Sequence, residues 1–258
     1  MPQTKIVFFD IDGTLIDMQA KKITPKMLET LHRLQDRGIK ICIATGRSPM
    51  VLPKIDGVAF DAYLTFNGSL CYDRKGVIFS NPIPHKDVVR FIQNAAALGR
   101  PICVSTRDRL AANGTDTDLT DYFAIANEDV PIVDNFDAMC EEDIYQLMLG
   151  CRPKDYPALL DGAPGAKIAA WWDRAVDVIP AGGGKGIGIK KMLAYYGLDK
   201  ADALAFGDGN NDREMLQAVG TGVAMENGSP ELKALADEIC GPVYEDGIYH
   251  YCTSKGLI

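Results

Sequence analysis

Two carboxylates, Asp10 and Asp12, follow a short apolar run near the start of the chain. Residues 6–9 are the kind of unbroken apolar run that forms a parallel strand covered on both faces, and Gly13 allows a sharp turn after it. If the backbone stays extended through both aspartates, their side chains point to the same face. Two carboxylates held that close resist joint ionisation unless a cation lies between them or one keeps a proton. Either arrangement suits catalysis, although an ordinary acidic turn has the same pattern.

The same pattern, an apolar run that ends in polar residues, recurs later in the chain. Residues 39–44 are apolar and end at Thr45, and residues 203–206 end at a loop that contains Asp208 and Asp212. Because ligand sites in open parallel sheets form beyond the carboxyl ends of the strands, we expect these side chains to lie near the first pair of aspartates.

The residue types at these strand ends favour a magnesium ion and a phosphate group. Mg²⁺ typically takes one or two carboxylates plus substrate phosphate, and Asp10, Asp12 and Asp208 are the candidate ligands. Thr45 and nearby backbone N–H groups could hold phosphate oxygens, while Lys185 neutralises the charge that develops during transfer. The chain has only three histidines, which argues against a histidine-rich zinc site. The pattern therefore predicts a phosphoryl-transfer site.

Other functions lack the motifs or the composition that they require. The glycine-rich stretches have neither the Walker spacing nor the dinucleotide-binding spacing, and no G-x-S-x-G turn occurs. The net charge of -8, without a basic run, argues against a nucleic-acid or membrane partner. No apolar run approaches the ~20 residues of a membrane span, and no signal peptide is predicted. Seven cysteines without a C-x-x-C pair indicate a reduced, cytoplasmic protein. We expect a monomer or a weak homodimer.

The order of the predicted elements indicates an α/β fold with one inserted domain. Strands and helices alternate at the start of the chain and again after the glycines at 182–184, whereas hairpins and short helices predominate in between. We therefore predict a Rossmann-like parallel-sheet core domain of residues 1–82 and 180–258. The predicted insertion is an α/β domain of residues 83–179.

Four stretches, in this order, resemble the motifs of the haloacid dehalogenase superfamily. They are Asp10-Ile11-Asp12-Gly13-Thr14, Thr45-Gly46-Arg47, Lys185-Gly186 and Gly207-Asp208-Gly209-Asn210-Asn211-Asp212. The apolar strands before three of them, and the insertion between the second and the third, are similar to those of Cof-like sugar phosphatases with a type IIB cap. The resemblance implies a Mg²⁺-dependent phosphatase whose inserted domain is a cap that contacts the alcohol part of a small phosphorylated metabolite.

The resemblance also implies a role for each matching residue. Asp10 would be the nucleophile that forms an aspartyl-phosphate, and Asp12 would protonate the leaving alcohol and then activate water. Mg²⁺ would be bound by Asp10, Asp208 and the backbone carbonyl of Asp12, and Asp212 would steady these ligands through water or Lys185. The residues expected to hold the phosphate are Thr45, Gly46, Lys185 and Asn211.

Four further residues are predicted substrate contacts: Arg47, Asn67, Trp171 and Trp172. The first two lie at ends of predicted core strands, where capping or turn roles are the alternative. The tryptophans are neighbours in a predicted strand, residues 167–172, so that one faces each way and could lie against a sugar ring; packing is the alternative.

The substrates expected from the resemblance are sugar phosphates, hexose phosphates above all, with broad selectivity. The alternatives are a phosphatase of pyridoxal phosphate or flavin mononucleotide, a phosphomannomutase-like phosphotransferase, and a non-catalytic phosphate-binding regulator. The regulator would be expected to lack Asp10 or Asp12, and both are present.

Overall fold

The chain folds into two compact units in the computed structural model, which describes residues 4–125, 128–170 and 172–258. The core unit comprises the residues up to Gly46, then Pro53–Ser80 and Gly184–Ile258. The cap unit comprises Arg47–Leu52 and Asn81–Gly183. The domain boundaries given above remain a prediction.

An eight-stranded sheet forms the centre of the core unit. In spatial order its strands are β13 (Glu238–Cys240), β12 (Thr221–Met225), β11 (Ala203–Gly207), β1 (Ile6–Phe9), β2 (Lys40–Ala44), β3 (Ala62–Thr65), β4 (Leu70–Asp73) and β5 (Gly76–Ser80). The first six are parallel, and the last two form an antiparallel hairpin at one edge. All four residues of β1 are buried between two neighbouring strands, which explains its unbroken apolar run. The predicted α/β class with a parallel-sheet core is confirmed.

Helices cover the sheet of the core unit. They are α1 (Pro25–Asp36), α6 (Lys185–Tyr196), α7 (Arg213–Ala218), α8 (Pro230–Lys233) and α9 (Gly247–Ser254). Helix α1 begins as the sequence predicts: the Thr24 side chain accepts a hydrogen bond from the Met27 N–H, and Pro25 is the first helical residue. Helix α6 begins at Lys185, so this side chain is fixed at a helix start.

The cap unit contains a five-stranded antiparallel sheet. Its spatial order is β7 (Leu110–Ala112), β6 (Ile102–Ser105), β8 (Gln146–Gly150), β10 (Ala175–Pro180) and β9 (Ala166–Ala169). Helices α2 (His85–Ala97), α4 (Phe136–Met139) and α5 (Tyr156–Leu160) contribute to the hydrophobic cluster on one face, and α3 (Thr117–Ile125) packs on the other. Among the described residues, no helix has both the length and the apolar character that a bilayer span requires.

The predicted strand of residues 167–172 is too long. The pairing of β9 with β10 ends where Ala169 faces Asp177, and the chain then bends towards β10. Trp172 lies in this bend, with the guanidinium carbon of Arg174 4.9 Å from its ring centroid, so the prediction that Trp172 lies in a strand is wrong. Trp171 lies outside the described residues.

Candidate active site

Asp10 lies directly beyond β1, the strand between β11 and β2. Its backbone N–H donates to the carbonyl oxygen of Phe206 (3.0 Å), which continues the pairing with β11 by one residue. The chain turns at the next residue, where the carbonyl oxygen of Ile11 accepts from the N–H of Ile16 (2.9 Å). The backbone is therefore not extended as far as Asp12, which is half-buried, whereas Ile11 between the two aspartates is fully buried.

Lys185 forms a buried ion-pair network with two carboxylates. Its Nζ lies 2.6 Å from Asp10 Oδ1 and 2.5 Å from Asp212 Oδ1, and the Lys185 and Asp212 side chains are both 0% exposed. Burial alone would lower the pKa of Lys185, but the two carboxylates outweigh it and raise this pKa above its ordinary value. The ammonium group is therefore charged, and it ties the start of α6 to the end of β1.

Asp212 and Asp208 shape the loop that follows β11. Asp212 Oδ2 accepts hydrogen bonds from the backbone N–H groups of Asp208 and Gly209, at 3.0 Å each, so both of its oxygens have partners. Asp208 Oδ1 accepts from Thr14 Oγ1 at 3.2 Å. Gly13 lies beside Asp208 with φ +82°, and a Cβ atom there would be 2.1 Å from Asp208 Oδ2. This close approach requires glycine at position 13.

Negative charge exceeds positive charge in this cluster. Asp10, Asp208 and Asp212 have oxygens within 4.8 Å of one another, and Lys185 compensates only part of their charge. Burial raises the pKa of Asp10 well above its ordinary value, and the neighbouring aspartates raise it further against the opposing effect of Lys185. Burial and Asp212 likewise raise the pKa of Asp208 to about 7. Three carboxylates this close are stabilised together by a bound cation or by a proton that one of them retains.

The donor set fits a hard divalent cation. Asp10 and Asp208 each have an oxygen, Oδ2, that accepts no hydrogen bond from the described residues, whereas Asp212 has no such oxygen. Carboxylate oxygens are the ligands that Mg²⁺, Ca²⁺ and Mn²⁺ prefer. The geometry thus separates two carboxylates that are available for a metal ion from one that orders the loop.

Asn67 connects three of the residues predicted to form the phosphate site. Thr45 follows β2; its N–H donates to the Leu64 carbonyl (2.9 Å), and its own carbonyl accepts from the Asn67 N–H (3.0 Å). A Cβ atom at Gly46 would lie 3.1 Å from Asn67 Nδ2, so the Asn67 amide packs against this glycine. Asn211 Nδ2 donates to Asn67 Oδ1 at 3.2 Å. The amide of Asn67 therefore lies between the loop after β2 and the loop after β11.

The structure places most of the predicted site residues in the core unit. These are Asp10, Asp12, Thr45, Gly46, Asn67, Lys185, Asp208, Asn211 and Asp212. Arg47 and Trp172 belong to the cap unit. In that unit Arg47 Nη1 donates to the Val51 carbonyl (3.0 Å) and so stabilises the short turn Pro49–Val51.

Two further residues support the site and were not assigned a role from the sequence. One is Thr14, the partner of Asp208 described above. The other is Asn227, which follows β12: its Nδ2 donates to the Gly13 carbonyl (2.8 Å), and its Oδ1 accepts from the Val243 N–H (2.9 Å). Asn227 follows an apolar strand and precedes Gly228, so the same strand-end pattern that singled out Asp208 was available for it.

Acidic side chains and a buried lysine, gathered at the carboxyl ends of a parallel sheet, define an α/β enzyme of the phosphoryl-transfer class. The chain belongs to the haloacid dehalogenase-like hydrolase family, which it matches over residues 7–252.

Several relatives are similar to the chain over nearly its whole length. The "Putative phosphatase YkrA" of Bacillus subtilis (strain 168) is 35% identical over 258 residues, which are 99% of each chain. The 5-amino-6-(5-phospho-D-ribitylamino)uracil phosphatase YitU of the same organism is 27% identical and matches over 95% of each chain. The solved structure of the subclass IIB sugar phosphatase BT4131 has a TM-score of 0.90 and 28% identity, covering 99% of this chain and 100% of that chain.

These similarities confirm the resemblance to the Cof-like branch of the superfamily. The chain is a phosphoric monoester hydrolase, a phosphatase that acts on small phosphorylated compounds.

Proposed function

We propose that the chain hydrolyses sugar phosphates, hexose phosphates in particular, with Mg²⁺ as cofactor and an aspartyl-phosphate on Asp10 as intermediate. The observation that carries the proposal is the position of Asp10 at the end of the central strand. Lys185 fixes one oxygen of this carboxylate, and the other accepts no hydrogen bond from the described residues. A carboxylate held in this way is oriented without losing the lone pairs that attack phosphorus.

The proposed metal ligands are Asp10, Asp208 and the backbone carbonyl of Asp12. Asp212 supports them indirectly, since it holds the loop of Asp208 through backbone N–H groups and pairs with Lys185. When bound, the cation reduces the repulsion between the carboxylates and the phosphate and stabilises charge on the phosphoryl oxygens.

The proposed reaction has two displacements at phosphorus. In the first, an Asp10 oxygen forms a bond to phosphorus, the bond from phosphorus to the alcohol oxygen breaks, and Asp12 donates a proton to that oxygen. In the second, Asp12 takes a proton from water, the water oxygen forms a bond to phosphorus, and the bond from phosphorus to the Asp10 oxygen breaks, which releases inorganic phosphate and restores Asp10. The groups proposed to hold the phosphate oxygens are those of Thr45, Gly46, Lys185 and Asn211.

The name of BT4131 supports sugar phosphates as substrates, because that relative is called a sugar phosphatase and matches the whole chain. The name of YitU describes a different small phosphorylated compound. Relatives with different named substrates support the proposal that this chain accepts several phosphorylated compounds. Arg47, Trp171 and Trp172 are the proposed contacts to the alcohol part. A cytoplasmic location and a monomeric or weakly dimeric state also remain proposals.

Phosphate release from a panel of substrates tests this function. The panel contains hexose phosphates, pyridoxal phosphate and flavin mononucleotide, each assayed with Mg²⁺ and with a chelator. We expect Mg²⁺-dependent release that is fastest with hexose phosphates and is abolished in a folded Asp10→Asn variant. Faster release from pyridoxal phosphate or flavin mononucleotide than from hexose phosphates would reject sugar phosphates as the preferred substrates. An active Asp10→Asn variant would reject the covalent mechanism.

A further inference from the structure

Three consecutive residues after β3 adopt the left-handed backbone conformation. Phe66 has φ 50°, Asn67 has φ 51° and Gly68 has φ 91°, and all three residues are buried. Glycine and asparagine tolerate this conformation, but for a bulky side chain such as Phe66 it is a genuine outlier. Strain of this kind persists only where the surrounding structure enforces it, and it is concentrated at functional sites.

The turn Phe66–Gly68 contacts the loop after β2. The Asn67 N–H donates to the Thr45 carbonyl, and the Asn67 amide packs against Gly46 so closely that a Cβ atom there would lie 3.1 Å from Nδ2 and 3.2 Å from Oδ1. Asn67 is only 3% exposed, so its amide has little freedom to move away. This side chain therefore restricts the backbone that is proposed to bind phosphate.

The same turn contacts the loop after β11 through Asn211. The side-chain amide nitrogen of an asparagine carries two N–H donors. Asn211 uses Nδ2 to donate to Asn67 Oδ1, which leaves one N–H of this group for a phosphate oxygen. The bond to Asn67 fixes the plane of the Asn211 amide and hence the direction of the remaining donor.

The turn also packs against the start of α6. A Cβ atom at Gly68 would lie 2.3 Å from the Gly184 carbonyl oxygen and 3.1 Å from Lys185 Cα, so glycine is required at this position. The left-handed turn thus touches all three segments that carry the proposed phosphate ligands.

We propose that Asn67 is a positioning residue of the phosphate site: it orients the Asn211 amide, restricts the backbone at Gly46, and does not select the alcohol part of the substrate. This inference rests on the phosphate site proposed above. It replaces the prediction that Asn67 contacts the substrate directly. Three observations support it: the bond to Asn211, the contact with Gly46 and the conformation of the turn.

Asn67→Gly is the most informative variant, because glycine removes the amide and still adopts the left-handed conformation. We expect kcat/KM to fall by about tenfold, an effect of the size found for coupled residues within one network. The loss should be similar for every substrate, and inhibition by inorganic phosphate should weaken in parallel. A loss that differs strongly between hexose phosphates and pyridoxal phosphate, with phosphate inhibition unchanged, would overturn the proposal.

A double-mutant cycle with Asn211→Ala tests the route of the effect. If Asn67 acts largely through Asn211, Asn67→Gly should cost at least about threefold less when residue 211 is already alanine. Equal losses in both backgrounds would contradict this positioning role. If Asn67→Gly fails to fold, Asn67→Asp replaces it, because aspartate keeps an acceptor oxygen and tolerates the left-handed conformation. The fall in kcat/KM of this variant should likewise be similar for every substrate, and a fall that differs strongly between substrates would overturn the proposal.

A failure of the proposed phosphatase function can be distinguished from a failure of the positioning role of Asn67. Absence of phosphate release by the unmodified protein would reject the hydrolase reaction proposed above. The cycle would then be measured with the dissociation constant of inorganic phosphate, by calorimetry. Coupling between residues 67 and 211 in that constant would support the positioning role, and independence would overturn it.

Discussion

The core unit and the cap unit each contain a cluster of aspartates with basic side chains, but the charges are balanced differently. In the core unit Lys185 faces the aspartates at the strand ends and leaves an excess of negative charge. In the cap unit Asp118 accepts hydrogen bonds from Arg100 (3.2 Å), Arg152 (3.0 Å) and Arg174 (2.9 Å).

The cap cluster compensates its own charge. Two further aspartates, Asp116 and Asp121, pair with Arg100 and Arg174, so that three carboxylates face three guanidinium groups. Hydrogen bonds from Arg152 and Arg174 lower the pKa of Asp118 below its ordinary value. A balanced cluster stabilises the fold, whereas the unbalanced cluster of the core unit is typical of a functional site, and we propose that a cation completes it. Four variants test this distinction.

Replacing Lys185 should have the largest effect. Lys185→Met leaves Asp10 and Asp212 buried without their common partner, and loss of one side of a buried ion pair costs about 3–5 kcal/mol of unfolding free energy. Turnover should be lost as well. Chemical denaturation measures the first effect, with Lys190→Met, an exposed position on the same helix, as the matched control. If both variants unfolded at the same denaturant concentration, the buried network would not contribute to stability.

Mg²⁺ should stabilise the core cluster and have no effect through the cap cluster. A ligand at 100 times its dissociation constant adds about 2.7 kcal/mol to the free energy of unfolding. We expect Asp208→Asn to lose most of the Mg²⁺-induced rise in Tm, because it removes one proposed ligand. Asp118→Asn should retain the full rise. An Mg²⁺ response in Asp208→Asn as large as that of the unmodified protein would exclude Asp208 as a ligand.

Asp118→Asn should destabilise the protein by about 1–3 kcal/mol at neutral pH, because hydrogen bonds from three arginines lose their charged acceptor. The folded-state pKa of Asp118 is lowered, so its contribution is complete above the unfolded-state value of about 3.9 and is lost as the pH falls through the folded-state value. The stability difference between the two proteins should therefore shrink in acid. Denaturant unfolding curves of both proteins, recorded from neutral pH into acid, measure this difference. A difference that grew on acidification would contradict a stabilising role of the charged Asp118 carboxylate.

Trp172→Leu should have the smallest effect. It removes the ring under the Arg174 guanidinium, a cation–π contact worth about 0.5–1 kcal/mol when exposed. If Trp172 also contacts the sugar, KM for hexose phosphates should rise several-fold while kcat is unchanged. Steady-state kinetics with hexose phosphates and flavin mononucleotide separate the two roles. An unchanged KM would leave Trp172 with a structural role alone.

The sequence predicts the fold class and most of the core site because both depend on local patterns. An apolar run that ends at Asp10, Thr45 or Asp208 marks a strand end, and parallel strands bring such ends to one edge of a sheet. The pattern failed where local signals are weak: the three-residue strand β13 and the four-residue helix α4 were not predicted, and β9 is shorter than expected.

Contacts between distant residues could not be predicted either. Asn227 donates to Gly13, and Arg174 pairs with Asp118, across separations of 214 and 56 residues. The left-handed conformation of Phe66 is also invisible in the sequence, since phenylalanine rarely adopts it. The proposed role of Asn67 depends on a contact between distant residues, its bond to Asn211, and on the left-handed turn. It could therefore be inferred only from the structure.

Covalent trapping tests the central claim most directly. Asp12→Asn should still be phosphorylated by a substrate whose leaving group needs no proton, such as p-nitrophenyl phosphate, but it cannot efficiently activate the water that releases the phosphate. After acid quenching, mass spectrometry of the peptide that contains Asp10 should show the added mass of one phosphoryl group on this residue. Phosphate release by Asp12→Asn without any modification of Asp10 would contradict the aspartyl-phosphate mechanism.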